Sequence, residues 1–303
     1  MFSLSTCWFD GRPADGGAIV DEALAMGFGA LELGYGLRHE AASKILARAA
    51  AGDIAISSVH AFCPAPDKKP GHPELYSIAD ADEEARANGV AKVLECLAFA
   101  SHAGAPSMVL HAGRIKASAR RWLWVHNRIT NDETEGFFYR WNFKRMVKAR
   151  ETGIGAAMDA LRRSLSELLP AFEQAHIRLA LENLPSYDAI PLPDEADALV
   201  REFGSSPAFA LWYDMGHGQV MENAGYGTGI DYARHHMPHL AGCHIHDVIG
   251  PAGDHQAPGR GGIDFPAFSF LASLPSLVFE PSAGVLKEDL VAGRQMLEQI
   301  WKK

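Results

Sequence analysis

The sequence predicts an α/β fold, a (β/α)8 or TIM barrel with eight parallel strands and a helical insertion after the fourth. Three observations lead there. Eight short apolar runs recur along the 303 residues, helical patterns lie between them, and the runs are nearly continuous in hydrophobicity rather than alternating. Continuous runs suit parallel strands covered on both faces. Strand alternating with helix implies βαβ units with right-handed crossovers, and eight such units in about 250 to 300 residues make a barrel of usual size. The competitor is an open doubly wound sheet, but no GxGxxG phosphate loop follows the first run. No Ser-, Gly- or Pro-rich linker divides the chain, so residues 1–303 read as one domain, with 115–150 an insertion inside it.

The runs are, in order, FSLSTCWF (2–9), GALELGYG (29–36), IAISSVHAFC (54–63) and SMVLHAGR (107–114). The second half adds IRLALENL (177–184), FALWYDMGH (209–217), LAGCHIHDV (240–248) and SLVFEPS (276–282). Residues 81–104 read as a helix with acids in the first turn and glycine at the end. Residues 155–176 and 285–301 place apolar side chains at three- and four-residue spacing, the stripe of a packed helix.

Composition narrows the function classes. No run of 18 apolar residues occurs, and the first residues lack a basic region followed by a long apolar stretch. A membrane span and a secretory signal are therefore not expected, and a cytoplasmic location is. The four cysteines are far apart with no CxxC pair, as for buried free thiols. Net charge is −9, against a general nucleic-acid binder. The charge is uneven. Arg114 to Arg150 holds ten Lys/Arg against three Asp/Glu, a net of +7, leaving 18 against 34 elsewhere, a net of −16. The same segment carries Trp122, Trp124, Phe137, Phe138, Tyr139, Trp141 and Phe143.

Reactive groups of such barrels sit at the C-terminal ends of the strands. Run two offers Glu32, run three His60, run four His111, and run five Glu182 with Asn183. Run six gives Asp214 and His217, run seven His244, His246 and Asp247, and run eight Glu280, with His255 following in GDHQAPGRGGIDF. Any one alone reads as a helix cap or a hydrogen-bonded loop residue. Together they converge on one mouth, where close carboxylates repel unless something positive sits among them. Mixed imidazole and carboxylate donors suit a divalent ion such as Zn²⁺ or Mn²⁺.

The order of Glu182 on run five, DMGH on six, CHIHD on seven, PGRGGIDF after it and FEP on eight resembles the xylose isomerase-like TIM barrels. That group holds sugar phosphate isomerases and epimerases and AP-endonuclease family 2. The resemblance implies that Glu182, Asp214, His244 and Glu280 are ligands of a central divalent metal. It implies that Glu182 and Glu280 are also the catalytic acid/base pair. It places His217, Asp188, His246, His60, His111 and Arg260 among the substrate contacts. In endonuclease IV-like members, the positions of His60, His111, His217 and His255 hold additional metal. The acid two residues before His255 in that branch is replaced here by Gly253, and an epimerase arginine six residues past His244 by Gly250.

The chemistry so implied is polarisation of a substrate oxygen by the metal, with stabilisation of an enediolate. Two glutamates exchange protons on opposite faces of one carbon, which gives epimerisation or aldose–ketose isomerisation. Three alternatives stay open: a dehydratase on the same enolate chemistry, a multi-zinc phosphoesterase, and a barrel that binds without turnover. Segment 115–150 is either packing on the rim or on a second subunit of a homodimer or tetramer, or a lid. As a lid, Arg120, Arg121, Arg140 and Arg145 would meet an anionic sugar substrate. The −16 remainder argues against a nucleic-acid arm.

Overall fold

In the computed structural model the chain closes a parallel barrel in the order β1-β8-β7-β6-β5-β4-β3-β2. The strands are β1 (Phe2–Ser5), β2 (Ala30–Leu33), β3 (Ala55–His60) and β4 (Ser107–Leu110), then β5 (Arg178–Glu182), β6 (Phe209–Asp214), β7 (Leu240–Ile245) and β8 (Ser276–Phe279). Each falls inside one of the eight apolar runs. The structure describes residues 1–12, 15–66, 69–131 and 133–301, and of 116–119 only the backbone.

Helices α1 (Gly16–Ala25), α2 (His39–Ala50) and α3 (Glu83–His102) follow the first three strands, and α4 (Lys116–Thr130) and α5 (Phe137–Ala175) follow the fourth. Then come α6 (Pro193–Phe203), α7 (Met215–Asn223), α8 (Gly229–His236) and the closing α9 (Lys287–Ile300). A 3-10 turn, Phe265–Ser273, stands between β7 and β8 where an α-helix would complete the pattern. Two antiparallel ribbons rise above the strand ends, Gly113–Arg114 with Ala189–Ile190 and Asp247–Ile249 with Gly253–Gln256.

Burial explains the run composition. Residues of β1, β2, β6, β7 and β8 are buried throughout, because one face meets the helices and the other fills the barrel. The inward residues Val109, Ala180, Ala210, Trp212, Ala241 and Val278 form their own cluster inside the barrel. The period of two then carries consequences upward. His111, Glu182, Asp214 and Glu280 each stand two residues beyond a member of that cluster, so they point to the same axis at the mouth.

Helix α5 runs through Phe137–Ala175 without a break, so the second part of the basic segment, from 137, and the helix read from 155 are one element. At 1.5 Å per residue, 39 residues span roughly 58 Å. Gly153 lies in its middle because a Cβ there would sit 2.8 Å from Ile115 Cγ2. The first part of α5 and α4 share a small core of their own, Trp122, Val125, Ile129, Met146 and Met221, separate from the main one. Among the described residues all four cysteines are buried and unbridged, and no helix is long and apolar enough to cross a membrane.

Candidate metal centre

Helix α7 starts directly where β6 stops, and this explains the D-x-x-H spacing. Asp214 is the N-cap, and its Oδ1 accepts the His217 backbone N–H at 2.7 Å. Its Oδ2 is left to face the mouth. The Asn183 side chain ties β5 to β6, accepting from Asp214 N–H at 2.7 Å and donating to Asp214 C=O at 3.0 Å. A Cβ at Gly216 would lie 2.0 Å from the His246 ring, so glycine in this turn makes room for that histidine.

Donor atoms of Glu182, Asp214, His244 and Glu280 all lie within 4.8 Å of one another. All four side chains are buried. His244 Nδ1 is 3.1 Å from Glu182 Oε1, 3.2 Å from Glu280 Oε2 and 3.5 Å from Asp214 Oδ2. Its Nε2 is 3.2 Å from each oxygen of Glu32, which also accepts from Ser58 Oγ at 2.8 Å. Three carboxylates thus crowd one imidazole nitrogen, with a fourth behind the ring. Such a set fits a divalent ion, which would supply the charge that the cluster lacks.

The protonation pattern follows. Burial alone would raise Glu182 and Asp214 and lower His244. The surrounding histidines instead hold Glu182 and Asp214 well below the usual carboxylate range. Glu280, Glu32 and Glu182 hold His244 well above the usual imidazole value. Glu280 is the exception. Burial, helped by Glu182, Glu32 and Asp214, raises it well above the usual range against the pull of His244. His217 is raised to about 10, because Asp214 and Glu182 outweigh its burial.

His60 Nε2 and His111 Nε2 both meet Glu182 Oε2, at 3.1 and 3.0 Å. His217 Nδ1 donates to the Asn183 carbonyl at 2.9 Å. His255, in the left-handed region at φ 54°, donates from Nδ1 to the Glu280 carbonyl at 2.8 Å. Burial, with His246 and His217 nearby, pushes His255 down to about 4. Donor atoms of His217, His246 and His255 also lie within 4.8 Å of one another.

A cavity of about 560 Å³ opens onto this centre. His60, His111, Glu182, Asp188, His217, His255 and Glu280 line it, as do Trp122, Leu123 and His126 from α4. Arg114 is its one Lys/Arg side chain among the described residues, and it is engaged. Its guanidinium meets Glu74 at 2.6–2.8 Å, Asp188 Oδ1 at 3.0 Å and Ser186 Oγ. Glu74 in turn lies 3.5 Å from His111 Nδ1, so an ion chain runs from the rim to Glu182.

Two of the expected substrate-contact residues lie outside the cavity lining. His246 is fully buried and does not line the cavity. Its Nδ1 accepts the His255 backbone N–H at 2.9 Å, so its Nε2–H donates to Asp214 Oδ2 at 2.9 Å. Both nitrogens are used inside the protein, and the ring orients Asp214. Arg260 lies in a different surface hollow, 59% exposed and paired with Asp289. Asp247, at the end of run seven, is also no ligand: its oxygens accept four backbone N–H groups, from Val248, Gly259, Gly261 and Ile263. The four arginines expected over the mouth do not line the cavity either. Arg120 and Arg140 point outward and Arg145 stacks over Trp141 at 4.5 Å. The residues that sequence reasoning left unassigned are Glu74, Ser58, Tyr35 and Arg114, and nothing in their local pattern singles them out.

Comparison with known proteins agrees with the fold. The family model described as xylose isomerase-like TIM barrel matches residues 20–273. A D-tagatose 3-epimerase-like protein superposes with a TM-score of 0.71 at 17% identity, covering 99% of this chain and 97% of that one. The 3-keto-D-glucoside 4-epimerase YcjR from E. coli gives 0.69 at 15% identity, covering 98% of each chain. The probable 3-DHS dehydratase AsbF from Bacillus anthracis gives 0.63 at 14% identity, again covering 98% of each. In sequence, the uncharacterized protein MJ1614 of Methanocaldococcus jannaschii is 27% identical over 112 residues, 37% of this chain and 41% of that relative. The closed eight-stranded parallel barrel and the match over residues 20–273 lead to one assignment: the chain belongs to the xylose isomerase-like TIM barrel family.

Proposed function

We propose that this chain is a metal-dependent isomerase or epimerase of a neutral keto sugar or polyol. The observation that carries the reading is the convergence of Glu182, Asp214, His244 and Glu280 within 4.8 Å at the floor of an open cavity. Three carboxylates and one imidazole suit Mn²⁺ or Zn²⁺. A bound ion supplies Lewis-acid polarisation of a substrate oxygen. The protein's own residues do the rest. Glu182 and Glu280 leave β5 and β8 on opposite sides of the barrel axis, so a carbon held between them can lose a proton to one and regain it from the other. Their protonation is pushed apart, Glu182 down and Glu280 up, which suits base and acid in that order. His60 and His111 fix the Glu182 carboxylate through one oxygen and leave the other toward the centre.

The cavity lining speaks to substrate charge. Five acids, Glu74, Glu182, Asp188, Asp254 and Glu280, face it against Arg114, which is already paired. Among the described residues a phosphate or carboxylate finds no unpaired guanidinium or ammonium in the lining, whereas hydroxyl groups find acceptors and imidazoles. The structural neighbours, among them a 3-keto-D-glucoside 4-epimerase and a D-tagatose 3-epimerase-like protein, are compatible with this choice. The same proton abstraction followed by loss of a β-hydroxyl would make the chain a dehydratase.

A second reading rests on a different observation. His60 and His111 share Glu182 Oε2, and His217 and His255 line the same cavity, which together offer places for further ions. A multi-ion hydrolase of phosphoesters would use them. One experiment separates the readings. The purified chain is assayed for metal per chain and incubated with a panel of ketoses and aldoses in deuterated water. One central ion with deuterium at the carbon beside the carbonyl supports the isomerase or epimerase. Two or three ions at the mouth with phosphodiester cleavage and no deuterium uptake would replace it.

A further inference from the structure

Away from the mouth, on the outer wall of the barrel, Asp197 of α6 faces the last two residues of α8, His235 and His236. His235 Nε2 is 2.9 Å from Asp197 Oδ1 and His236 Nε2 is 3.0 Å from the same oxygen. The two rings stand at 89° to each other with centroids 4.8 Å apart, so they approach the carboxylate from different sides. All three donor atoms lie within 4.8 Å of one another.

His236 is the unusual member. It is 2% exposed, and its Nδ1–H donates to the Tyr232 carbonyl at 3.0 Å. A neutral ring so held carries its lone pair on Nε2. That atom is buried and makes no hydrogen bond, although a carboxylate oxygen stands 3.0 Å away. That nitrogen is thus a buried, unused ligand atom beside a carboxylate that is 32% exposed and bonded to His235. A metal cation would occupy it.

We propose that Asp197, His235 and His236 form a second divalent-cation site, distinct from the central one. Two imidazoles and a carboxylate select a borderline ion of the Zn²⁺, Ni²⁺ or Cu²⁺ kind over Mg²⁺ or Ca²⁺. Donors about 2.0–2.1 Å from a tetrahedral zinc sit roughly 3.3 Å apart, and the two nitrogen–carboxylate distances, 2.9 and 3.0 Å, are within a few tenths of an ångström of that. His235 is 67% exposed, which leaves the fourth position open to water or another ligand. Bound there, the ion clamps the C-terminal end of α8 to α6.

The test counts zinc in the full chain after equilibrium dialysis against micromolar zinc, for the wild type, His235→Ala and Asp197→Asn. The Asp214→Asn background, which removes a central ligand, is run in parallel so that the two sites are scored separately. His235 is on the surface, so its truncation leaves the fold intact. The expected result is loss of one zinc per chain in each outer-site variant, in both backgrounds, with turnover unchanged where the central site is whole. Equal zinc content in wild type, His235→Ala and Asp197→Asn would overturn the proposal.

Discussion

The Glu32 carboxylate lies 3.2 Å from His244 Nε2 through both of its oxygens, although 212 residues separate the two in the chain. By accepting that proton it leaves the opposite nitrogen, Nδ1, to face Glu182, Asp214 and Glu280. A carboxylate behind a ligating imidazole fixes its tautomer and raises its basicity. Glu32→Gln should therefore weaken metal affinity by about 10- to 100-fold while the barrel stays folded. Metal titration with circular dichroism as the fold control checks this, and an unchanged affinity would remove Glu32 from the site.

Glu182→Gln and Asp214→Asn should each empty the central site, since each deletes a charged donor from a set of four. Chelation of the wild type should lower its melting temperature by several degrees, because the ion binds only the folded state. Full occupancy in both variants, read by elemental analysis, would contradict the ligand assignment.

Binding of the ion should release protons. In the metal-free chain His244 and Glu280 are both held above their usual values, so each keeps its proton to higher pH than usual and an ion must displace it. Protons should leave as the ion binds, and affinity should climb as pH rises. Calorimetry in two buffers of different ionisation enthalpy measures the number directly. Zero release would mean that the ion sits elsewhere.

Leu123 lines the cavity yet is 67% exposed, so it serves the pocket more than the core. Leu123→Ala should raise KM several-fold with little change in melting temperature. Tyr226 lies under the same helix pair, stacked on Tyr187 at 4.6 Å and on Phe143 at 5.5 Å. Tyr226→Ala should raise KM and also cost on the order of 2 kcal/mol of stability. Thermal melts beside steady-state kinetics distinguish the two, and identical behaviour would deny the helix pair its role over the mouth.

Neutral ketoses should be turned over at least about tenfold better, in kcat/KM, than their phosphates, a difference of about 1.4 kcal/mol. The reason is the acid-rich cavity, whose one arginine among the described residues is paired. A preference for the phosphorylated forms would reverse the assignment of substrate charge.

The eight strands were legible because a buried run must be apolar on both faces, and the donors because a polar residue stands out where such a run ends. Roles that depend on hydrogen-bond direction were not legible. His246 is a substrate contact by the family resemblance, yet the His255 N–H decides its tautomer and turns it toward Asp214. Arg260 was drawn in by PGRGGIDF, a loop whose shape comes from Asp247 collecting backbone N–H groups and which holds its arginine against Asp289. The continuity of α5 was not legible: the sequence suggests a helix from 155 after an insertion over 115–150, whereas one helix runs through Gly153, which gives room to Ile115. The positive charge of 114–150 pointed to an anionic ligand, but part of it serves internal contacts. Arg150, for instance, is buried against Glu195 and the Tyr187 and Ala189 carbonyls.

The small core under α4 draws residues from three separate stretches of chain, the helix pair after β4, Tyr187 and Leu192 after β5, and Met221 and Tyr226 after β6. Loops on this scaffold are commonly thought of as interchangeable parts, each free to vary while the barrel stays constant. Here three of them share one set of packed aromatic rings, so they form a single module. A graft that moves the helix pair alone into another barrel would carry over half of a core and leave its ring partners behind. Changes of substrate preference in this chain must then come either as coordinated replacements across three loops or from residues such as Leu123 that stand outside the shared packing.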